Sequence, residues 1–308
     1  GSHALQNLYP VLQYLGIRLK YICCKSPDKL ALIERRFGVN ATTSLDTILN
    51  DSEVKGIFVC TSPQSHYEIC SRVIASGKYL FVEKPPCQTL EQLEYLIAAD
   101  KQQVAMVGMQ KRYSPIIWTL KKQLAKSKPI NYTLSYHTGL YPEGNPLTDL
   151  FIHPVDLVLY LFGNAELKSV QQIDRNGTMT IQGLLSHGTA KGYIELSTAY
   201  SWTNPKETLY VNTQAGEYRL EQMERLCYYP HPKRIAGIPL EKLGLFTNAE
   251  QTLIERNNFN PLAANNQLYT QGFLSEIRAF ADMVELSGEN RSPLSSMDAT
   301  YKLLLSLK

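Results

Sequence analysis

Nothing in this chain has the spacing of a cysteine metal site. The six cysteines (Cys23, Cys24, Cys60, Cys70, Cys87 and Cys227) include no C-x-x-C pair. Several fall inside apolar, strand-like runs, the setting of buried free thiols in a reducing compartment, so packing is their expected role and the cytoplasm the expected location. No apolar run approaches the length of a membrane-spanning helix. Basic residues number 31 and acidic ones 28, interspersed, with no run of like charge and no basic stripe carrying regular aromatics, so nucleic-acid binding has no support. There is also no low-complexity segment and no internal repeat. What is there is a globular composition, 44% hydrophobic and 19% charged over 308 residues, long enough for a full core and for two domains.

The first third alternates short β-branched runs with helical patterns: IRLKYICC (17–24), SPDKLALIERRFG (26–38), GIFVCT (56–61), QSHYEICSRVIASG (64–77) and KYLFVEK (78–84). That order predicts a parallel sheet wrapped by helices, with Gly38 and Gly77 as left-handed helix ends. TLEQLEYLIAADKQ (89–102) and VAMVGM (104–109) add a helix and a strand. From about Tyr113 the pattern changes to long alternating segments at 129–141, 178–186, 190–201 and 207–213, which predict an antiparallel sheet. Helices are expected over 149–163, 265–288 and 297–308, and the Pro- and Asn-bearing stretch 229–262 reads as a long irregular loop. The fold class is therefore α/β followed by α+β.

In an open parallel sheet, ligands bind outside the carboxyl ends of the strands. Three such ends carry polar residues that packing does not require: Cys24-Lys25-Ser26, Thr61-Ser62-Pro63-Gln64-Ser65-His66, and Glu83-Lys84-Pro85-Pro86. They are either a rigid polar site or plain exits into solvent, and spacing alone does not separate the two. A second constellation is Asp149, His153 and Asp156, whose spacings of four and three put them on one helical stripe. A histidine with a carboxylate one turn away suits a general base, since a reference pKa of about 6.5 allows proton transfer near neutrality. The competing reading makes Asp149 an N-terminal cap and His153 a core histidine. No metal is expected, because no further Cys or His cluster lies close by.

Taken in order, TSPQSH (61–66), FVEKPPCQTLEQLEYL (81–96), MVGMQKRYSP (106–115) and the Asp149-x-x-x-His153-x-x-Asp156 helix resemble the Gfo/Idh/MocA oxidoreductases, the family of glucose–fructose oxidoreductase and inositol dehydrogenase. The resemblance implies an N-terminal Rossmann dinucleotide-binding domain (1–113) and a C-terminal α+β domain (114–308) with an open, mostly antiparallel sheet. That second domain would bind substrate and form a homo-oligomer, and the closing helix could pack back on the first domain. By motif, Lys84 would lie between nicotinamide and substrate hydroxyl, His153 would be the acid/base, and Asp149 would orient substrate or imidazole. His153 would then take the hydroxyl proton, hydride would pass from the carbinol carbon to the nicotinamide, and Lys84 would stabilise the developing alkoxide. Thr61, Ser62, Pro63, His66 and Glu83 would lie along the cofactor, with Gln110 and Arg112 near its nicotinamide end. Tyr136, His137 and Tyr141 are candidates for the cleft, with sheet packing as the default.

The implied activity is an NAD(P)-dependent dehydrogenase or reductase of a sugar, polyol or related compound. The alternatives are a non-catalytic dinucleotide-binding sensor and a redox-assisted lyase or glycosidase. NADP is favoured over NAD, because the second strand of such folds ends in an acid when it must bind the ribose 2′-OH, whereas here Cys24 is followed by Lys25 and Ser26. The family's first strand and first fingerprint glycine are not in the sequence. Placing Pro10 on the family's proline puts Gly1 on the second glycine and Ala4 on the last small residue, with Ser2 and His3 as spacers. An apolar strand ending in Gly-x is then expected immediately before Gly1, with a helix from about Ala4 that would present its N–H groups to a pyrophosphate.

Overall fold

The computed structural model describes residues 3–244, 249–257, 259, 262 and 265–308. They fall into two compact units, Gly1–Met109 with Phe273–Asp298, and Gln110–Gly272 with Ala299–Lys308.

In the first unit the chain turns through Ala4–Leu8 into helix α1 (Tyr9–Tyr14), so helix does begin where the resemblance puts it. Strands β1 (Tyr21–Cys23) and β2 (Asn40–Thr42) pair in parallel, and β3 (Gly56–Val59), β4 (Tyr79–Glu83) and β5 (Ala105–Gly108) form a second parallel sheet in that order. Helices α2 (Leu30–Phe37), α3 (Leu45–Leu49), α4 (His66–Ala75) and α5 (Leu90–Ala99) connect them. The predicted glycine ends are present, with φ of +64° at Gly38 and +73° at Gly77. Helix α5 starts on a capping box legible in TLEQ: Thr89 accepts from the Gln92 N–H, and the Gln92 side chain accepts from the Gln88 N–H. Leu80, Phe81, Val82 and Met106 are fully buried, and Phe280 of the helix Phe273–Leu286 meets the rings of Phe58 and Phe81. Beyond β5, Ser292 pairs with Val107 through both its backbone and its hydroxyl.

The second unit begins with the turn Gln110–Tyr113 and helix α6 (Pro115–Lys126). Helix α7 (Ile152–Phe162) follows a π-type turn over Leu147–Phe151. Its sheet contains β6 (Pro129–His137), β7 (Glu166–Arg175), β8 (Thr178–His187), β9 (Ala190–Ser197), β10 (Lys206–Thr213), β11 (Gly216–Glu221), β12 (Arg225–Pro230) and β15 (Gln251–Glu255). The order is β15-β12-β11-β10-β6-β9-β8-β7, with β6 and β9 parallel and every other pair antiparallel. Strands β13 (Arg234–Ile235) and β14 (Ile238–Pro239) make a small hairpin. The expectation of one irregular loop over 229–262 is thus corrected: β12 runs to Pro230 and pairs with β15, because Leu226 and Ile254 face each other across the sheet.

The single helix expected over 265–288 is corrected too. It is broken at Gly272, whose φ is +100° and where a Cβ would stand 2.0 Å from the Gln110 carbonyl oxygen, leaving Gln267–Thr270 as a separate turn. The packing of α7 on β6 is equally tight. Tyr132 stacks on Phe162 with ring centroids 4.2 Å apart, and its hydroxyl donates to His187 Nε2 at 2.7 Å. His187 in turn donates from Nδ1 to the Gly163 carbonyl at 2.7 Å, and burial lowers its pKa, which keeps the ring in this neutral form. Gly192 lies under that ring, where an added Cβ would fall 2.1 Å from Tyr132 Cζ. With Tyr132 held on both sides, Gly192→Ala is expected to destabilise the protein by about 1–3 kcal/mol, read as a lower urea midpoint.

Candidate functional site

In the first unit the predicted polar residues do gather at the carboxyl ends of the parallel strands. Strand β4 delivers Glu83, buried, and then Lys84, half-buried, into a turn locked by Pro85 and Pro86, with a cis Lys84–Pro85 peptide. His66, only 1% exposed, joins that turn to the exit of β3: its Nδ1 lies 2.8 Å from the Pro85 carbonyl and its Nε2 3.1 Å from the Thr61 carbonyl. Buried and bonded on both ring nitrogens, His66 ties the two loops together. Thr61 and Ser62 are exposed, and Ser65 fixes them by donating to Thr61 Oγ1 and sharing the Ser62 carbonyl, both at 2.9 Å.

His3 Nε2 meets the Glu83 carboxylate at 3.1 Å, and the ring edge packs on Phe273. Gly1 and Ser2, the expected phosphate-loop residues, lie outside the described residues. Lys25 is exposed just beyond β1, and Ser26 precedes the turn Pro27–Lys29. The six cysteines are free thiols. Burial pushes Cys70 up to about 12 and raises Cys60 as well, so neither is a thiolate nucleophile, as the packing reading expects.

In the second unit, His153 is half-buried in the first turn of α7, and Asp149 sits in the π-type turn that leads into it. Asp149 Oδ2 accepts from the Asn145 N–H at 3.0 Å while the Asn145 side chain accepts from the Leu147 N–H at 3.0 Å, a reciprocal closure of the first turn. Thr148 donates to Asp149 Oδ1 at 3.1 Å. Burial, and then the Asp149 charge, raise the pKa of Tyr141, which packs against the same carboxylate. Asp149 thus helps close this turn, and its carboxylate is held in place. Gly144 makes room for it, since a Cβ there would stand 2.1 Å from Asp149 Oδ2. An Asn-x-x-x-Asp spacing with Pro146 at the turn is a signal for this closure that reading the Asp-His stripe alone misses.

Arg112 and Asp156 pair with each other. Asp156, 1% exposed, does not turn its carboxylate to His153; it accepts from Arg112 Nε at 2.8 Å and from a second guanidinium nitrogen, and Thr300 donates to it at 3.1 Å. Arg112, 4% exposed, is thus committed inside its unit. Sequence reasoning missed its neighbour Lys111, also buried, which pairs with Glu207 beneath the ring of Tyr136. Tyr136 faces α7 through Phe151, whereas His137 lies on the other face of the sheet, stacked on Tyr200 and 3.1 Å from Glu195. Gln110 is half-buried at the start of its turn.

Residues 3–111 match the model of the oxidoreductase family with an NAD-binding Rossmann fold. The uncharacterized oxidoreductase YhhX of Escherichia coli is 27% identical over 207 residues, 60% of this chain and 59% of its own length, so the chain spans about three fifths of that relative. The scyllo-inositol 2-dehydrogenase (NAD(+)) of Bacillus subtilis is 22% identical over 305 residues, 92% of this chain and 83% of its own. A crystal structure of a dehydrogenase from Chromobacterium violaceum superposes with a TM-score of 0.84 at 17% identity, covering 100% of this chain and 92% of that one, a likeness of fold. In the described part no helix is long and apolar enough to cross a membrane, and no group of three or more His, Cys, Asp and Glu side chains is placed to hold a metal.

Proposed function

We propose that this chain is a Gfo/Idh/MocA oxidoreductase, an NAD(P)-dependent dehydrogenase or reductase of a sugar, polyol or related hydroxy compound. The observation that carries the reading is the delivery of Lys84 from the carboxyl end of a parallel strand into a turn fixed by Pro85, Pro86 and the His66 bridge. When bound, a nicotinamide cofactor would supply the hydride donor or acceptor for the carbinol carbon. His153 takes the hydroxyl proton in oxidation and returns it in reduction. By the family resemblance, Lys84 would stabilise the oxygen on which charge develops, and Asp149, held by Asn145 and Thr148, would orient what His153 works on. Thr61, Ser62, Pro63, Glu83 and Gln110 would hold the cofactor, with His3 and Ala4 toward its pyrophosphate. A panel of inositols, sugars and sugar acids, assayed with both cofactors for absorbance change at the nicotinamide band, tests the reading. Absence of turnover with every member, in either direction, would refute it.

The cofactor is NADP in preference to NAD. The residues after β1, Cys24-Lys25-Ser26, bring no carboxylate to the place where a ribose 2′-OH is bound, and the exposed Lys25 supplies a cation suited to a 2′-phosphate. Fluorescence titration is expected to show tighter binding of NADPH than of NADH, and Lys25→Asp to weaken NADPH by about tenfold, the loss of one charge-assisted contact to phosphate. Tighter NADH binding by the unmutated protein would reverse the assignment. The open face of the sheet, with Ile173, Leu184 and Tyr210 exposed, is the surface for a homo-oligomer, in a reducing, cytoplasmic setting that suits six free thiols.

A further inference from the structure

A cavity of about 300 Å³ opens on the second unit between the C-terminal end of α6 and strands β11, β12 and β15. Its position relative to His153 follows from the sheet register. Tyr132 stands opposite Val211, Val211 opposite Tyr218, and Tyr218 opposite Tyr228, one row of side chains across four strands. Helix α7 starts near Tyr136, which Phe151 touches, and ends on Tyr132, which Phe162 covers. The cavity therefore lies level with the far end of α7, about 15 Å along that helix from His153. It is also two to three strands to the side, about 10–14 Å at ordinary strand spacing.

The lining is chemically specific. Tyr218 and Tyr228 form an aromatic wall with centroids 4.8 Å apart. The Tyr228 hydroxyl is committed to the Ala215 carbonyl at 2.9 Å. That of Tyr218 is not: the residue is only 4% exposed, yet its hydroxyl has no hydrogen-bond partner among the described residues. The hydroxyl itself keeps solvent contact, and Tyr218 lines the cavity, where a ligand can meet it. Burial and the neighbouring Tyr228 raise its pKa, which keeps it a donor. Gln123, Gln251 and the Lys126 ammonium complete the polar lining, and no acidic residue among the described residues contributes to it.

We propose that this cavity is a second ligand site, separate from His153, for an anionic monosaccharide: a single sugar or polyol ring bearing a carboxylate or a phosphate. The tyrosine pair takes the apolar face of the ring, Tyr218 and the two glutamine amides take hydroxyls, and Lys126 takes the anionic group. The volume is at the small end of ligand pockets, enough for one ring and too little for a dinucleotide.

Calorimetric titration of the whole chain with D-glucuronate, D-glucose 6-phosphate and D-glucose tests this. At least one anionic sugar is expected to bind more tightly than glucose, and which of the two it is separates a carboxylate ligand from a phosphate ligand. Lys126→Glu, at an exposed position that folding does not depend on, should weaken binding by at least about tenfold and leave turnover unchanged. Tyr218→Phe should weaken it by about two- to tenfold, one hydrogen bond's worth. No binding of either anionic sugar, or binding that Lys126→Glu leaves intact, overturns the site. The titration does not depend on turnover, so its failure leaves the dehydrogenase reading standing, and loss of that reading leaves the cavity standing.

Discussion

His153→Ala is expected to lower turnover by about 10²–10⁴-fold, the usual contribution of a positioned acid/base, while fluorescence titration shows cofactor affinity little changed. The half-buried ring stands in the first turn of α7, and the turn that leads into it holds the Asp149 carboxylate through Asn145 and Thr148. Lys84→Ala should cost about 10²–10³-fold, the loss of one donor to a developing oxyanion. Neither change removes a core side chain, so urea midpoints near that of the unmutated protein are expected for both. Full activity in His153→Ala would remove the acid/base assignment, and full activity in Lys84→Ala would remove the oxyanion assignment.

What the sequence made legible was whatever a local pattern encodes. The parallel strands at 56–59, 79–83 and 105–108 are apolar runs because both sheet faces are covered, and they fall inside the predicted segments. Helix α5 announces itself through Thr89 and Gln92. Strand β7 does not: ELKSVQQIDR is an edge strand exposed along nearly all its length, so no alternation marks it, and only its pairing with β8 makes it a strand. Helix α3 is five residues long, too short for a periodic signal, and rests on the Ser44 cap. In the site, the Asp-His spacing was visible, but the choice of partner was not. Asp156 and Arg112 are 44 positions apart, and nothing in either neighbourhood says that one carboxylate of the stripe turns inward to an arginine while the other caps a turn. His66 is a similar case: the motif places it beside a cofactor, and only its two carbonyl contacts make it a bridge between loops.

That inward-turned pair carries the largest expected effect on stability. In Asp156→Ala the Arg112 guanidinium would remain buried with its carboxylate removed, and Thr300 would lose the acceptor of its hydroxyl. Desolvation already works against the Arg112 charge, and the Asp156 charge and hydrogen bonds more than offset it, leaving the arginine pKa raised. Removing that offset is expected to cost about 3–5 kcal/mol, visible as a large fall in the urea midpoint. The cost comes from burying the guanidinium without this carboxylate, not from the value of the pair. Arg112→Met, Asp156→Leu and Thr300→Val combined, which leave no charge and no hydroxyl behind, should therefore recover most of the loss. Because Asp156 follows His153 by one turn and Arg112 belongs to the Gln110–Tyr113 turn, the pair also anchors the start of α7. Asp156→Ala should thus lose stability and activity together, whereas His153→Ala loses activity alone. A triple variant as unstable as Asp156→Ala would show instead that the ion pair itself, and not the uncompensated charge, holds this end of the helix.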